Sequence, residues 1–249
     1  MCKKTNNDAS VFYNDISENY DEMFDFEKDL ASAENVVAEL KKQFEFKKAL
    51  DIGCGTGSFT LALARGGVAT TGIDLSSSMI AAAKANGLAY GLDIDFINSG
   101  MEQMLRNINK KFDLIMCMGN TLPHLLTQKD LNSMLDACRK LLNPGGHLVL
   151  NLLNYDRILD SKERIIGITK SENHEFIRFN DFEEPYVNFN LLEIDWSTKP
   201  PTHKLVSTKL YPYTHLEVEA ALLKTGFVSF KRQMSDKSKS TTIIAKRNN

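Results

Sequence analysis

Between residues 48 and 151, short apolar runs alternate with segments of helical period, and this pattern restricts the possible folds more than any other feature of the chain. The runs cover residues 49–52, 68–73, 94–97, 112–117 and 147–150, and the helical segments 59–65, 77–86, 101–108 and 129–142. Strands that alternate with helices join one sheet in parallel through crossovers, and such a sheet is covered on both faces. The expectation is therefore an α/β fold. Asn143-Pro144-Gly145-Gly146 is expected to stop the last helix and turn the chain into the next strand.

The flanks differ in period. Residues 29–43 read as an amphipathic helix, with Val36, Val37 and Leu40 on one face and Lys41 and Lys42 near its end, where the helix dipole favours cations. Residues 174–182, 187–196 and 204–210 alternate polar and apolar side chains, which predicts antiparallel strands with one wet face. A helix over 215–225 and closing strands over 227–232 and 241–245 follow, the strands joined by a polar turn rich in Ser and Lys. The expected organisation is one domain. A helical cap (1–45) precedes the core (46–153). An antiparallel insertion (154–211) then lies over the carboxyl end of the sheet, where open α/β sheets bind ligands, and residues 212–249 close the domain. Trp196 is expected to pack the insertion onto the core, and the acidic run from Asp21 to Asp29 to form a solvated face.

Bulk properties narrow the classes of partner. The 249 residues carry a net charge of -2, without the basic excess with which proteins displace phosphate counterions, so a nucleic-acid partner is disfavoured. No apolar run approaches the ~20 residues needed to span a bilayer, and the first ten residues are polar, without the apolar stretch of a secretion signal. Cys2, Cys54, Cys117 and Cys138 form no C-x-x-C pair, and no His/Cys cluster has zinc spacing. A cytoplasmic protein with a small-molecule substrate, no membrane partner and no metal is expected, and a homodimer is compatible with it.

The chemistry is concentrated in Leu50-Asp51-Ile52-Gly53-Cys54-Gly55-Thr56-Gly57, which follows the first strand and opens a helix. Gly53 and Gly55 allow a tight turn and close approach to a ligand. The dinucleotide fingerprint is G-x-G-x-x-G. Here the third glycine comes one residue early, and Asp51 is badly placed for a diphosphate but suits an ammonium group. At the end of the second strand stands Gly72-Ile73-Asp74-Leu75-Ser76, whose carboxylate can accept hydrogen bonds from both hydroxyls of a ribose.

Residues 49–57 and 72–76 resemble the first two motifs of the class I S-adenosylmethionine-dependent methyltransferases. The resemblance implies a Rossmann-like, seven-stranded, mostly parallel sheet whose last strand is antiparallel. It also implies S-adenosyl-L-methionine as cofactor. In that reading Gly53 and Gly55 line its methionine part, Asp51 faces the amino group, Asp74 holds the ribose, Leu75 lies against the adenine and Met79 forms an apolar floor. After the third strand Gly100 stands where the family often has an acid for the adenine amino group. Ser99 or Glu102 substitutes for it there, with Met101 packing on the ring.

Met118 and Gly119 would border the reactive methyl. The segment Gly119-Asn120-Thr121-Leu122-Pro123-His124-Leu125 resembles that of glycine and sarcosine N-methyltransferases, as do Phe12-Tyr13-Asn14-Asp15 and Tyr20-Asp21. The (Asn/Asp/Ser)-Pro-Pro-aromatic motif of nucleic-acid amino-methyltransferases is absent. Leu153 falls where glycine N-methyltransferases carry a carboxylate-binding Arg, so glycine itself is not implied, and Arg178 or Arg157 could supply a different clamp. His124 is the candidate general base and Asn120 a candidate hydrogen-bonding partner of the substrate or the methionine moiety. Tyr13 and Tyr20 are candidates to close over the cofactor, Tyr20 as one of its binding residues and Tyr13 also as a substrate-binding residue. The expected activity is methyl transfer to N or O of a small metabolite. The alternatives are a protein or RNA methyltransferase and a non-catalytic binder of the same cofactor.

Overall fold

The computed structural model describes residues 9–233 and 239–248. Helices α1 (Ala9–Ile16), α2 (Tyr20–Phe24) and α3 (Phe26–Gln43) precede the core. The core runs β1 (Lys48–Ile52), α4 (Ser58–Arg65), β2 (Ala69–Asp74), α5 (Ser77–Ala89), β3 (Asp95–Asn98), α6 (Met104–Asn107), β4 (Phe112–Cys117), α7 (Gln128–Leu141) and β5 (Leu142–Leu153). Then come α8 (Tyr155–Ser161), β6 (Ile165–Lys170), β7 (His174–Glu183), β8 (Tyr186–Asp195), β9 (Thr202–Leu210), α9 (His215–Lys224), β10 (Phe227–Gln233) and β11 (Ser240–Arg247).

Seven strands form one sheet in the order β10-β11-β5-β4-β1-β2-β3, and β11 runs antiparallel to both its neighbours. The order reverses between β1 and β4, which are parallel neighbours, so a crevice opens beyond their carboxyl ends. Successive side chains of a strand face opposite sides. Leu50, Ile52, Ile115, Cys117, Leu148 and Leu150 accordingly pack on one face, against α7 and α9. Ala49, Leu114, Met116 and Val149 pack on the other, against α3, α4 and α5. Burial on both faces is what made these runs continuously apolar.

Strands β6 to β9 form a separate antiparallel sheet in sequence order. Phe12 and Ile16 of α1 and Met23 of α2 pack with Phe176, Leu191 and Met79 in a third apolar cluster, which joins the first helices, the small sheet and the start of α5.

Several expectations are corrected in detail. Helix α7 ends at Leu141 as Asn143-Pro144-Gly145-Gly146 requires, but that segment is itself the irregular start of β5, where the register with β4 shifts. The helix expected over 101–108 is a 3-10 turn (Met101–Gln103) followed by the single turn of α6. Trp196 does not pack the insertion onto the core: it is 51% exposed beyond the end of β8. Cys2 and most of the Ser- and Lys-rich turn lie outside the described residues.

Candidate active site

The loop after β1 is bent by hydrogen bonds to β2. Gly53 and Cys54 both donate their N–H to Ile73 O, at 2.8 and 2.9 Å. Gly53 has φ +69°, and a Cβ there would lie 2.4 Å from Cγ2 of Thr121, so conformation and space both require glycine. Gly55 has φ +54°, and a Cβ on it would meet nothing within 4 Å. One glycine thus packs the loop onto the segment after β4, and the other borders open space.

Two carboxylates flank this loop. Asp51 is 1% exposed and accepts the Thr60 hydroxyl at 2.6 Å. Burial raises its pKa to about 6, against the pull of that hydrogen bond. Asp74 accepts Gly55 N–H at one oxygen and Ser76 N–H at the other, both at 2.9 Å. Burial raises its pKa as well, and these two bonds oppose the shift. Ser76 caps α5 through Met79 N–H and donates to Asn14 of α1 at 2.6 Å.

Past β3, a Cβ on Gly100 would lie 2.4 Å from Oε1 of Glu102. The Glu102 carboxylate therefore occupies the space that a side chain at position 100 would fill. Ser99 is engaged already, donating to Gly100 O and accepting from Asn107. Past β4, Gly119 and Asn120 both have left-handed backbone, with φ near +65°. Asn120 Oδ1 accepts Leu153 N–H and its Nδ2 donates to the Tyr155 hydroxyl, each at 3.0 Å, so this side chain fastens the ends of β4 and β5 together.

The next turn presents His124, whose Nε2 is 3.0 Å from the Tyr13 hydroxyl. Desolvation pushes its pKa down to about 4, so the ring is neutral near pH 7, and its buried Nδ1 has no partner among the described residues.

These residues surround two adjoining cavities. The first, of about 210 Å³, is lined by every residue predicted to bind the cofactor: Tyr20, Asp51, Gly53 and Gly55 on one side, Asp74, Leu75 and Met79 on another. Ser99, Gly100 and Met101 lie past β3, and Met118 and Gly119 past β4. The second cavity, of about 230 Å³, is lined by Asn120, Leu153 and Arg178. Tyr13, Tyr20, Phe24, Gly119 and His124 line both, and so mark where the two meet. Arg157 lines neither and stands 3.7 Å from Glu163.

Sequence reasoning missed Thr60 and Thr121, whose roles depend on contacts with residues far along the chain. It also read the acidic run as solvated. Glu22, Asp25, Glu27 and Asp29 are exposed as expected, but Asp21 is half-buried, and Asp21 and Asp29 also border the first cavity together with Phe24 and Phe26. The i, i+4 spacing of Tyr20 and Phe24 was the available signal for an inward face.

Residues 49–146 match the family model described as "Methyltransferase domain". The chain is 33% identical over 138 residues to a ubiquinone biosynthesis O-methyltransferase of Pseudomonas aeruginosa, covering 53% of this chain and 58% of that protein. It is 30% identical over 143 residues to a glycine/sarcosine/dimethylglycine N-methyltransferase of Actinopolyspora halophila, covering 57% of this chain and 25% of that protein. The chain thus spans little more than half the length of the first relative and a quarter of the second. Over nearly the whole fold it resembles the crystal structure of an S-adenosylmethionine-dependent methyltransferase from Clostridium acetobutylicum, with a TM-score of 0.79 at 20% identity, covering 95% of this chain and 99% of the other. Residues 49–146 thus match a methyltransferase domain, and the sheet order around the glycine loop tied to Asp74 is a fold that this chain shares with S-adenosylmethionine-dependent methyltransferases of known structure.

Proposed function

We propose that the protein transfers a methyl group from S-adenosyl-L-methionine to N or O of a small metabolite in the cytoplasm. The observation that carries this reading is the junction of two cavities at Gly119 and His124, one beside the glycine loop and the other beneath the small antiparallel sheet. The first cavity suits an adenosyl amino acid. Asp51 offers a carboxylate to an ammonium group, Asp74 offers one to ribose hydroxyls, and Leu75, Met79 and Met101 give apolar walls for a base. Glu102, folded over Gly100, supplies the acid that position 100 lacks for an exocyclic amine.

When bound, the cofactor supplies an activated methyl, so the chain's task is alignment and desolvation. Tyr13 and Tyr20 stand between the cavities and exclude water. Asn120 retains one amide N–H for a substrate after its bonds to Leu153 and Tyr155. His124, neutral at pH 7, can accept a proton from the attacking group. Net charge -2 and scattered free thiols support a small-molecule enzyme of a reducing compartment over a nucleic-acid modifier.

Equilibrium titration with S-adenosylmethionine tests the reading first. Saturable binding is expected, followed by release of S-adenosylhomocysteine when a pool of small metabolites is added. Absence of binding at millimolar cofactor would reject the proposal. Binding without turnover on any small-molecule pool would leave a cofactor-binding protein instead.

A further inference from the structure

Arg178 lines the second cavity, and among the described residues no group neutralises it by contact. Arg178 lies on β7, in register with Gly167 of β6 and Leu191 of β8. A Cβ on Gly167 would lie 2.8 Å from Nη2 of Arg178, so the guanidinium occupies space that a side chain at 167 would take. Its central carbon is 4.7 Å from the centroid of the Phe24 ring, and Nη2 donates to the Thr169 hydroxyl at 3.3 Å. Arginine carries five N–H donors. Here Nε is buried without a partner, and among the described residues no carboxylate comes within ion-pair distance of the group. Asp29 and Tyr20 act on it only through space.

Among the described residues, the rest of that cavity's lining carries no charge to oppose it. Ile16, Met23, Phe189 and Leu210 are apolar, Asn120 and Asn151 are neutral amides, and His124 is uncharged near pH 7. A half-buried cation with unused donors is costly unless an anion meets it. The planar fork of a guanidinium matches the two oxygens of a carboxylate.

Resting on the methyl-transfer reading, we propose that the methyl acceptor is a small organic acid, its carboxylate held by Arg178 and its apolar body against Met23, Phe189 and Leu210. The acceptor atom then points towards Gly119 and His124, where the cavities join. Arg178 is in this sense a specificity residue, and what it selects is negative charge on the substrate.

The test uses matched acid and amide probes, phenylacetate against phenylacetamide and 3-methylbutanoate against 3-methylbutanamide, titrated into the full chain saturated with S-adenosylhomocysteine. In the wild type each acid is expected to bind at least tenfold tighter than its amide. Arg178→Gln should erase that preference while the Kd for S-adenosylhomocysteine stays within twofold. Arg178→Lys, which keeps the charge and loses the fork, should retain part of it and shows that the effect is not one of folding. Equal affinity for acid and amide, binding of neither up to 10 mM (roughly -2.7 kcal/mol), or a preference that survives Arg178→Gln would overturn the proposal. If S-adenosylhomocysteine itself does not bind, the methyl-transfer reading fails. The acid preference can then still be read on the protein alone.

Discussion

Asp74 accepts the backbone N–H of Gly55 at 2.9 Å, which joins the end of β2 to the loop after β1. The same carboxylate also orders the start of α5 through Ser76 N–H. A ribose binding here would share a group that the protein already uses to hold its own loop. Asp74→Ala is therefore expected to weaken S-adenosylhomocysteine binding on the order of 100-fold, since hydrogen bonds to a charged group contribute about 1.5–3 kcal/mol each. Asp74→Glu keeps the charge but displaces it, and should lose most of that affinity too. Calorimetric titration of the three proteins checks this, and a variant that binds within threefold of wild type would remove Asp74 from the site.

Gly53 and Thr121 form a second obligatory pair. Gly53→Ala brings a methyl against Thr121 and places a side chain at φ +69°. The combined cost is expected to be roughly 2–4 kcal/mol of stability. Thr121→Ala removes the Cγ2 and Oγ1 atoms nearest the new methyl, so in that background Gly53→Ala should cost only about 1–2 kcal/mol, the backbone part. A double-mutant cycle by urea denaturation reads the difference. Additive effects would mean that the loop moves aside rather than clashing.

How much of this was legible in the sequence depended on the range of the contacts involved. The parallel strands and the loop could be read because burial on both faces and a bend at Gly53 leave local marks. Within the expected helical cap, the bounds of α1 and α2 were not legible. α1 buries only Phe12 and Ile16, one turn apart, which is too short a repeat to register as a period. β6 was missed because it is the edge of its sheet, interrupted by Gly167 and with Ile165 and Ile168 largely exposed. The roles of Thr60 and Thr121 lie in contacts made across the fold, which no spacing encodes. Position 100 shows the converse: its glycine looked like a lost acid, and the structure shows Glu102 standing in that space.

On the proposed reading, Asp51 should make cofactor affinity depend on pH. Its carboxyl titrates near 6 in the folded protein, above the usual value of about 3.9. An ammonium group needs the charged form, so affinity for S-adenosylhomocysteine should fall about tenfold at pH 5 relative to the plateau above pH 7. Asp51→Asn should bind weakly and without this slope. The sign for folding is opposite. A raised folded-state pKa stabilises the ligand-free protein while the group is protonated, and that contribution is lost as pH rises through about 6. Binding isotherms from pH 5 to 8 on both proteins decide it, and a flat wild-type profile would exclude Asp51 as the ammonium partner.

His124 separates chemistry from architecture. If it accepts the substrate proton, His124→Gln should lower kcat about 100-fold or more, the range of general-base assistance, with the Kd for S-adenosylhomocysteine unchanged. Because burial holds its pKa near 4, kcat should show no inflection from this group between pH 6 and 8. Tyr13→Phe removes its hydrogen-bonding partner and should have a smaller effect in the same direction. A His124→Gln enzyme of reduced stability but wild-type kcat would assign the ring to the fold.

His174 ties the first helices to the small sheet, and that clasp should weaken in alkali. Its Nδ1 lies 3.1 Å from Glu22 of α2 and its Nε2 3.9 Å from Glu193 of β8, which also accepts Asn19 at 2.5 Å. Ser171 donates to the same Glu22. Desolvation lowers the pKa of His174, but Glu22, Glu193 and Asp195 together outweigh it and raise it. A histidine with a raised folded-state pKa adds stability that is fully present below its unfolded value of about 6.5 and is lost as pH rises through the folded value. Thermal unfolding of the wild type should therefore show a lower Tm at pH 9 than at pH 6. Glu22→Gln removes one charge that favours the imidazolium and should reduce the Tm difference while lowering the Tm at pH 6. Because α2 carries Phe24 and Tyr20 into both cavities, loosening it should also raise KM for the methyl acceptor more than for the cofactor. A Tm difference equal in wild type and Glu22→Gln would show that the clasp does not titrate.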